Sequence, residues 1–524
     1  MPSSQLAERS AAQPATAKRF GLRLDCVTMH REILCLAFVL GWQLQAATYY
    51  VDAGKGLDSN SGTTEKAPWQ SLSKVNATKF QAGDRILFVS GGVWRGQLAP
   101  TSSGSEGKPI VFDRYGKGAL PRIDAAGEVE DAVLLRNVQQ IEVRNLELVN
   151  HGPAPAPRRG VHIFLEDFGT AKHIVVADLY IHDVNGTNKV KDNGGIIFRT
   201  QGSTTPSRFD GLTIERNIVW QVDRSAIAAE SYHASRNHWF PSVNVVIRDN
   251  FVDDIGGDGI VPWATDKALI EHNIARDCNR RAGSYNAGIW PWSTDNSLFQ
   301  LNEAALTRNI KDGQGFDSDY NSHNTIFQYN YGHDNEGGFM LICSPSERNE
   351  FNIGNKGTVV RHNISRNDKL RTFTVSAVEQ TTVEDNAIYI GAGLDVQLLM
   401  LVDWQGWADD AVFRGNTFYV DGTARYGHEV GRPEDGLYQI GPGYGPAKRI
   451  SFVGNRYFGK NHIDRPEDPK AVTEESGKRP ALDWNAPQFD PKNPAGFQKF
   501  MTAHRQWIVK LMEAQFGKDL KLGW

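Results

Sequence analysis

Two aspartates stand one residue apart in the stretch GQGFDSDYNS, Asp317 and Asp319, within a segment otherwise built from small and apolar residues. Strand side chains alternate, so residues two apart share a face, with their roots about 6.5 to 7 Å apart. Two carboxylates on one face are the equipment of glycoside hydrolysis: one protonates the leaving oxygen while the other acts as base or nucleophile. Inverting enzymes hold the pair about 6.5 to 9.5 Å apart and retaining enzymes about 5 to 5.5 Å, so the strand spacing fits inversion slightly better. Like charges this close raise one pKa, as a general acid at neutral pH requires. On this reading Asp319 is the acid and Asp317 the base, and Asp312 or Glu336 in the flanking turns is the alternative second carboxylate.

Strands aligned on a leading small residue supply the surroundings. GIIFRTQ, AIAAESY, GIVPWAT, GIWPWST, GFDSDYN and GFMLICS start at Gly195, Ala226, Gly259, Gly288, Gly315 and Gly338. Their second places, Ile196, Ile227, Ile260, Ile289, Phe316 and Phe339, are expected to stack inward, and the third and fifth places to point out. The fifth reads Arg199, Glu230, Trp263, Trp292, Asp319 and Ile342, and the third ends in Trp290, Asp317 and Met340. Trp263, Trp290 and Trp292 would then wall a site for pyranose rings, with Glu230 and Arg199 farther along the same column. His333 and Asp334 lie in a turn near the acid strand and complete the candidate substrate-binding set. No residue is assigned to a metal.

These positions need a scaffold that stacks short strands in register. An Asn-bearing unit recurs as VRNLEL, IERNIV, IRDNFV, IEHNIA, FQLNEA, FQYNYG, VRHNIS, VEDNAI, FRGNTF and FVGNRY, carrying Asn145, Asn217, Asn250, Asn273, Asn302, Asn330, Asn363, Asn386, Asn416 and Asn455. Strand and turn alternate without amphipathic helices between them, which gives an all-β fold, a right-handed parallel β-helix. The asparagines are expected to form a structural ladder at one turn. TYYVDAGKGLDSNSGTTEKAPWQSLSKVN reads as a capping strand, turn and short helix; AGFQKFMTAHRQWIVKLMEAQFG reads as a helix packed on the solenoid. The expected divisions are a signal-peptide region at 1–47, the solenoid with its N-terminal cap at 48–460, and an extension with the helix at 461–524.

The chain of 524 residues has a formal charge of −4 and is 40% hydrophobic, which supports a large core and gives no electrostatic case for nucleic acid. Met29, His30 and Arg31 before ILCLAFVLG predict a cleaved export signal, hence a secreted or periplasmic protein with no membrane attachment after cleavage. Only Cys278 and Cys343 remain beyond that segment, which is no disulfide framework. No cofactor is expected; the oxygen-rich DAGKGLDSNSG is the one segment whose composition suits calcium, without EF-hand spacing.

YYVDAGKGLDSNSGT with PWQSL, and the repeats over residues 135–457, resemble the secreted pectate-lyase-like β-helix proteins that act on polysaccharides. These include lyases, several glycoside hydrolase families and mannuronan C5-epimerases. The epimerase pattern Tyr-Gly-x-Asp-Pro-His is matched at Gly315 and Asp317, but Gln314 replaces its Tyr and Asp319 its His. The acid pair resembles the aspartates of polygalacturonase-type hydrolases, whose Gly-His-Gly and Arg-Ile-Lys motifs are absent. A shared scaffold does not fix a reaction. The expected function is a glycoside hydrolase acting on a polysaccharide or its oligosaccharides; the alternatives are a lyase acting by β-elimination and a non-catalytic carbohydrate-binding solenoid.

Overall fold

The computed structural model describes residues 46–345, 347–403, 406–430, 439–476 and 479–524; the export signal expected in 1–47 lies almost wholly outside them. Short strands pair in parallel from coil to coil into three faces: one of seventeen strands, one of fourteen, and a third divided into five- and seven-strand parts. This is the right-handed parallel β-helix expected. Among the described residues no helix is long and apolar enough to cross a membrane.

One turn per coil is fixed by the asparagines. From Asn217 to Asn455 each side-chain amide donates to the Oδ1 of the next, at 2.9 to 3.0 Å, and Asp468 closes the row by accepting from Asn455 at 2.8 Å. Buried amides need such partners. Asn145 does not join the ladder: it sits at a left-handed turn position, φ 52°, and bonds Asp113 instead. Inside, like residues stack, as in Phe299 on Phe327 and Phe413 on Phe452.

The N-terminal helix Leu72–Ala77 is capped by the Ser71 hydroxyl and buries Leu72 and Val75. Nearby, Asp52 and Asp58 accept backbone N–H groups of Gly54, Lys55, Gln70 and Ser71, so both carboxylates shape the cap's turns. The last coil runs past residue 460, since Val472–Glu474 pairs with Arg456–Phe458. The helix Phe497–Phe516 buries Phe497, Phe500, Met501, His504, Trp507, Ile508, Leu511 and Met512. That stripe lies on the leading residues of successive strands of the fourteen-strand face, among them Phe251, Ile274, Tyr331 and Ile364. Each large apolar side chain so buried contributes about 1.5 to 3 kcal/mol.

On the third face Ile196 pairs with Ile227, Ile227 with Ile260 and Ile289 with Phe316, as the alignment expects. The next coil differs by one residue. Gln314 pairs with Gly338, Phe316 with Met340 and Ser318 with Ile342, so Met340 and Ile342 join the inner core while Leu341 and Cys343 lie beside the aspartates. Gly338 causes the slip: at φ 128° it lies against the Arg371 carbonyl, where any Cβ would collide, so the strand starts one residue earlier. Phe339 itself still packs in the core, 5.6 Å from Phe316 and 5.8 Å from Phe373 between ring centres, and beyond it the shift of one exchanges the two faces of the strand.

Candidate active site

Pro262 and Pro291 lie where the third face is interrupted. Proline cannot donate to a ladder, and around Ile289 only isolated bridges connect Ile260 to Phe316. New strands begin at Trp263 and Trp292, which pair with each other and hold their rings 4.6 Å apart. A cavity of about 190 Å³ opens here, lined by Trp263, Trp290, Trp292, Asp312, Asp317 and Asp319 together with Lys191 and Tyr285.

Strand Gln314–Ser318 delivers the acids. Ser318 points inward and bonds Thr325 and Thr358 at 3.0 Å, so Asp317 and Asp319 face out on either side of it. They are not on open surface: Asp317 is 3% exposed and its Oδ1 is buried without a hydrogen bond. Asp319 accepts the Tyr320 N–H at 2.7 Å and the Cys343 S–H at 3.3 Å. Carboxylate oxygens of Asp317 and Asp319 lie within 4.8 Å of each other and of the Cys343 sulfur. From roots two residues apart on one strand, an oxygen of each carboxyl thus turns toward the other. Asp312 reaches the cavity from a turn in which it and Gly313 both have positive φ, 60° and 70°. At Gly313 a Cβ would fall 1.8 Å from the Asn309 carbonyl, so glycine is required.

Burial, then the charges of Asp319 and Asp312, push the Asp317 carboxyl far above the usual range. Burial and the Asp319 charge raise Asp312 to about 7. Asp319 is raised by burial, against the stabilising hydrogen bonds from Tyr320 and Cys343. Lys191 lowers all three. Its ammonium lies 4.3 Å from the Trp290 ring centre and 3.0 Å from Asp258, a fully buried carboxylate that also holds Arg224 and accepts the Trp290 indole N–H at 2.9 Å. The site is therefore three carboxyls facing one lysine across a tryptophan wall.

Three candidates from the sequence lie elsewhere. Glu336 accepts the Asn309 N–H at 2.7 Å and pairs with Arg308, which fixes it in the turn outside the cavity. His333 and Asp334 belong to the fourteen-strand face, where His333 stacks on Tyr331 and pairs with Asp334 and Glu303 under the C-terminal helix. Burial opposes the His333 charge, but those two bonds prevail and raise it to about 9. Residues close in the sequence had turned the corner to another face. Arg199 and Glu230 do share the acids' outer face, paired at 3.4 Å. Lys191, Asp258, Tyr285 and Cys343 were not foreseen. Cys343 was recoverable from the correct strand register and Asp258 from its place just before Gly259; Lys191 comes from a polar loop with no signal of its own.

The fold is that of a pectate-lyase-like parallel β-helix carbohydrate-active protein. No family model matches the chain. It is 30% identical over 450 residues to a lacto-N-biosidase of Bifidobacterium longum subsp. longum, an alignment that takes in 67% of this chain and 28% of that protein. Two solved structures of a GH136 lacto-N-biosidase from Eubacterium ramulus, native and selenomethionine, superpose with a TM-score of 0.60 at 26% identity. The superpositions cover 82% and 77% of this chain and 68% and 67% of those chains. The chain thus spans a little over a quarter of the curated relative it matches.

Proposed function

We propose that the protein is a secreted glycoside hydrolase that cleaves oligosaccharides with retention of anomeric configuration, and that a lacto-N-bioside is its substrate. The observation that carries this is the convergence of Asp312, Asp317 and Asp319 on one tryptophan-walled cavity. The likeness to lacto-N-biosidases supports the substrate class, and the apolar run after Met29 supports export.

Asp319 is the nucleophile, because hydrogen bonds from Tyr320 and Cys343 favour its charged form. Asp312 is the acid and base: raised to about 7, it holds a proton at neutral pH while Asp319 is charged. Asp319 attacks the anomeric carbon as the glycosidic bond breaks, and the departing oxygen takes the Asp312 proton. Water, deprotonated by Asp312, then releases the sugar from Asp319. Asp317 stays neutral and donates a hydrogen bond, and the tryptophan faces hold the ring.

The test is hydrolysis of a p-nitrophenyl lacto-N-bioside and of a polysaccharide panel, with reducing ends and ultraviolet absorbance read together. The proposal expects reducing sugar without an unsaturated product. Asp319→Asn and Asp312→Asn should each lose oligosaccharide hydrolysis at least about 1000-fold, and with the aryl substrate azide should rescue the variant lacking the nucleophile as the inverted α-glycosyl azide and the Asp312 variant as the retained β-glycosyl azide. The inverted azide from Asp317→Asn instead would move the nucleophile to Asp317; unsaturated product would replace the hydrolase by a lyase.

A further inference from the structure

The outer face carrying Asp319 differs on its two sides. Toward the C-terminus the next residues in the column are Cys343 and Ser376, 5% and 1% exposed, with the Ser376 hydroxyl bonded to the Gly406 carbonyl at 2.9 Å. Strands Gly338–Cys343 and Arg371–Ser376 are buried on both faces. Toward the N-terminus the column reads Trp292, Trp263, Glu230, Arg199 and Phe164, with Phe164 paired to Arg199 and Arg199 to Glu230. At about 4.8 Å per coil this row extends roughly 24 Å from Asp319. It is open: the Arg199 and Glu230 side chains are 31% and 40% exposed.

We infer that this one-sided row is a binding track for further neutral sugar units of the substrate, with Glu230 and Arg199 as its hydrogen-bonding subsite beyond the tryptophan pair. The inference rests on the oligosaccharide reading above. Glu230 buries Oε2 beside Arg199 without a hydrogen bond, so the exposed part of its carboxylate is left to accept hydroxyls. The Trp263 indole N–H is also without an acceptor. Arg199 is already balanced by Glu230 and by Asp192 at 3.5 Å, and Arg159 behind it by Asp131 and Asp192. No excess positive charge remains to attract a uronate, whereas a neutral sugar loses nothing to such pre-paired charges. Phe164 adds an apolar face to the row between Arg199, 5.7 Å from its ring centre, and Arg136, 5.2 Å from it and paired with Glu166.

The experiment titrates tryptophan fluorescence of Asp319→Asn, which cannot turn over, with lacto-N-biose, lacto-N-tetraose and tetragalacturonate. The tetraose should bind at least 10-fold more tightly than the biose, and tetragalacturonate should not bind. The isosteric Glu230→Gln and, separately, Arg199→Met in the same background should each remove most of that gain while leaving biose affinity unchanged. Equal affinity for the two neutral sugars, a gain indifferent to both substitutions, or binding of tetragalacturonate overturns the track. Hydrolysis of the aryl glycoside by the wild type is read in parallel. Turnover without a length gain would refute the track alone, and a length gain without turnover would refute the hydrolase alone.

Discussion

Asp312→Asn should make the protein more stable at alkaline pH while abolishing its activity. The Asp312 carboxyl is raised from an ordinary 3.8 to about 7 by burial and by the charge of Asp319. A group whose folded pKa is raised contributes stability that is complete below its unfolded pKa and lost as pH rises through the folded value. The relevant window therefore runs from about pH 4 to about pH 7 and somewhat above. The shift is roughly 3 units at about 1.36 kcal/mol each, or about 4 kcal/mol. Asp312 is partly open to cavity water, which screens the charge, and about 2 kcal/mol is the working figure. Asparagine keeps the shape and removes the ionisation. The assay is the urea midpoint of wild type and variant, followed by circular dichroism at pH 4 and pH 8.5, with the slope checked for constancy. The two proteins should agree at pH 4 within about 0.5 kcal/mol, and at pH 8.5 the variant should lead by about 2 kcal/mol. A wild type that equals or exceeds the variant at pH 8.5 would refute the claim that this carboxyl is held protonated against its surroundings.

Lys191→Met removes the cation that lowers all three acids, so the acid limb of the kcat/KM profile, set by ionisation of Asp319, should move to higher pH; an unmoved limb would mean that Lys191 serves only the packing of Asp258 and Trp290. Cys343→Ala removes the S–H bond to Asp319 and should move the same limb upward by a few tenths of a unit, with Cys343→Ser, which keeps a donor, restoring it. Asn302→Leu strips a fully buried amide from the middle of the ladder and leaves the Ile270 carbonyl and the Asn273 amide without their partners, which should cost about 2 to 4 kcal/mol in the urea midpoint.

The scaffold was readable because its determinants repeat. The asparagine unit, the leading small residue of each third-face strand and the inward Ile196, Ile227, Ile260 and Ile289 carry the same information many times over, so one exception such as Asn145 does not mislead. The acid pair and the tryptophan wall followed from that register. Elsewhere the register was locally broken or chain neighbours turned a corner. Gly338 starts its strand one residue early, which concealed Cys343 beside Asp319. His333 and Asp334 are near the acids in the chain, yet a coil visits three faces and theirs lies under the C-terminal helix. Lys191 reaches the site from a loop more than a hundred residues upstream of the acids, and such a contact leaves no periodic mark. The strand spacing gave only the separation of the side-chain roots, since Cβ positions do not fix where rotamers bring the carboxylate oxygens.

The central claim is a double displacement through Asp319, and its most direct test is the anomeric configuration of the first-formed sugar. Proton NMR during the opening minutes of hydrolysis of a p-nitrophenyl β-lacto-N-bioside should show the β anomer appearing first, with the α anomer growing later by mutarotation. The α anomer appearing first would contradict the account, because it would mean direct displacement by water with no bond formed to Asp319.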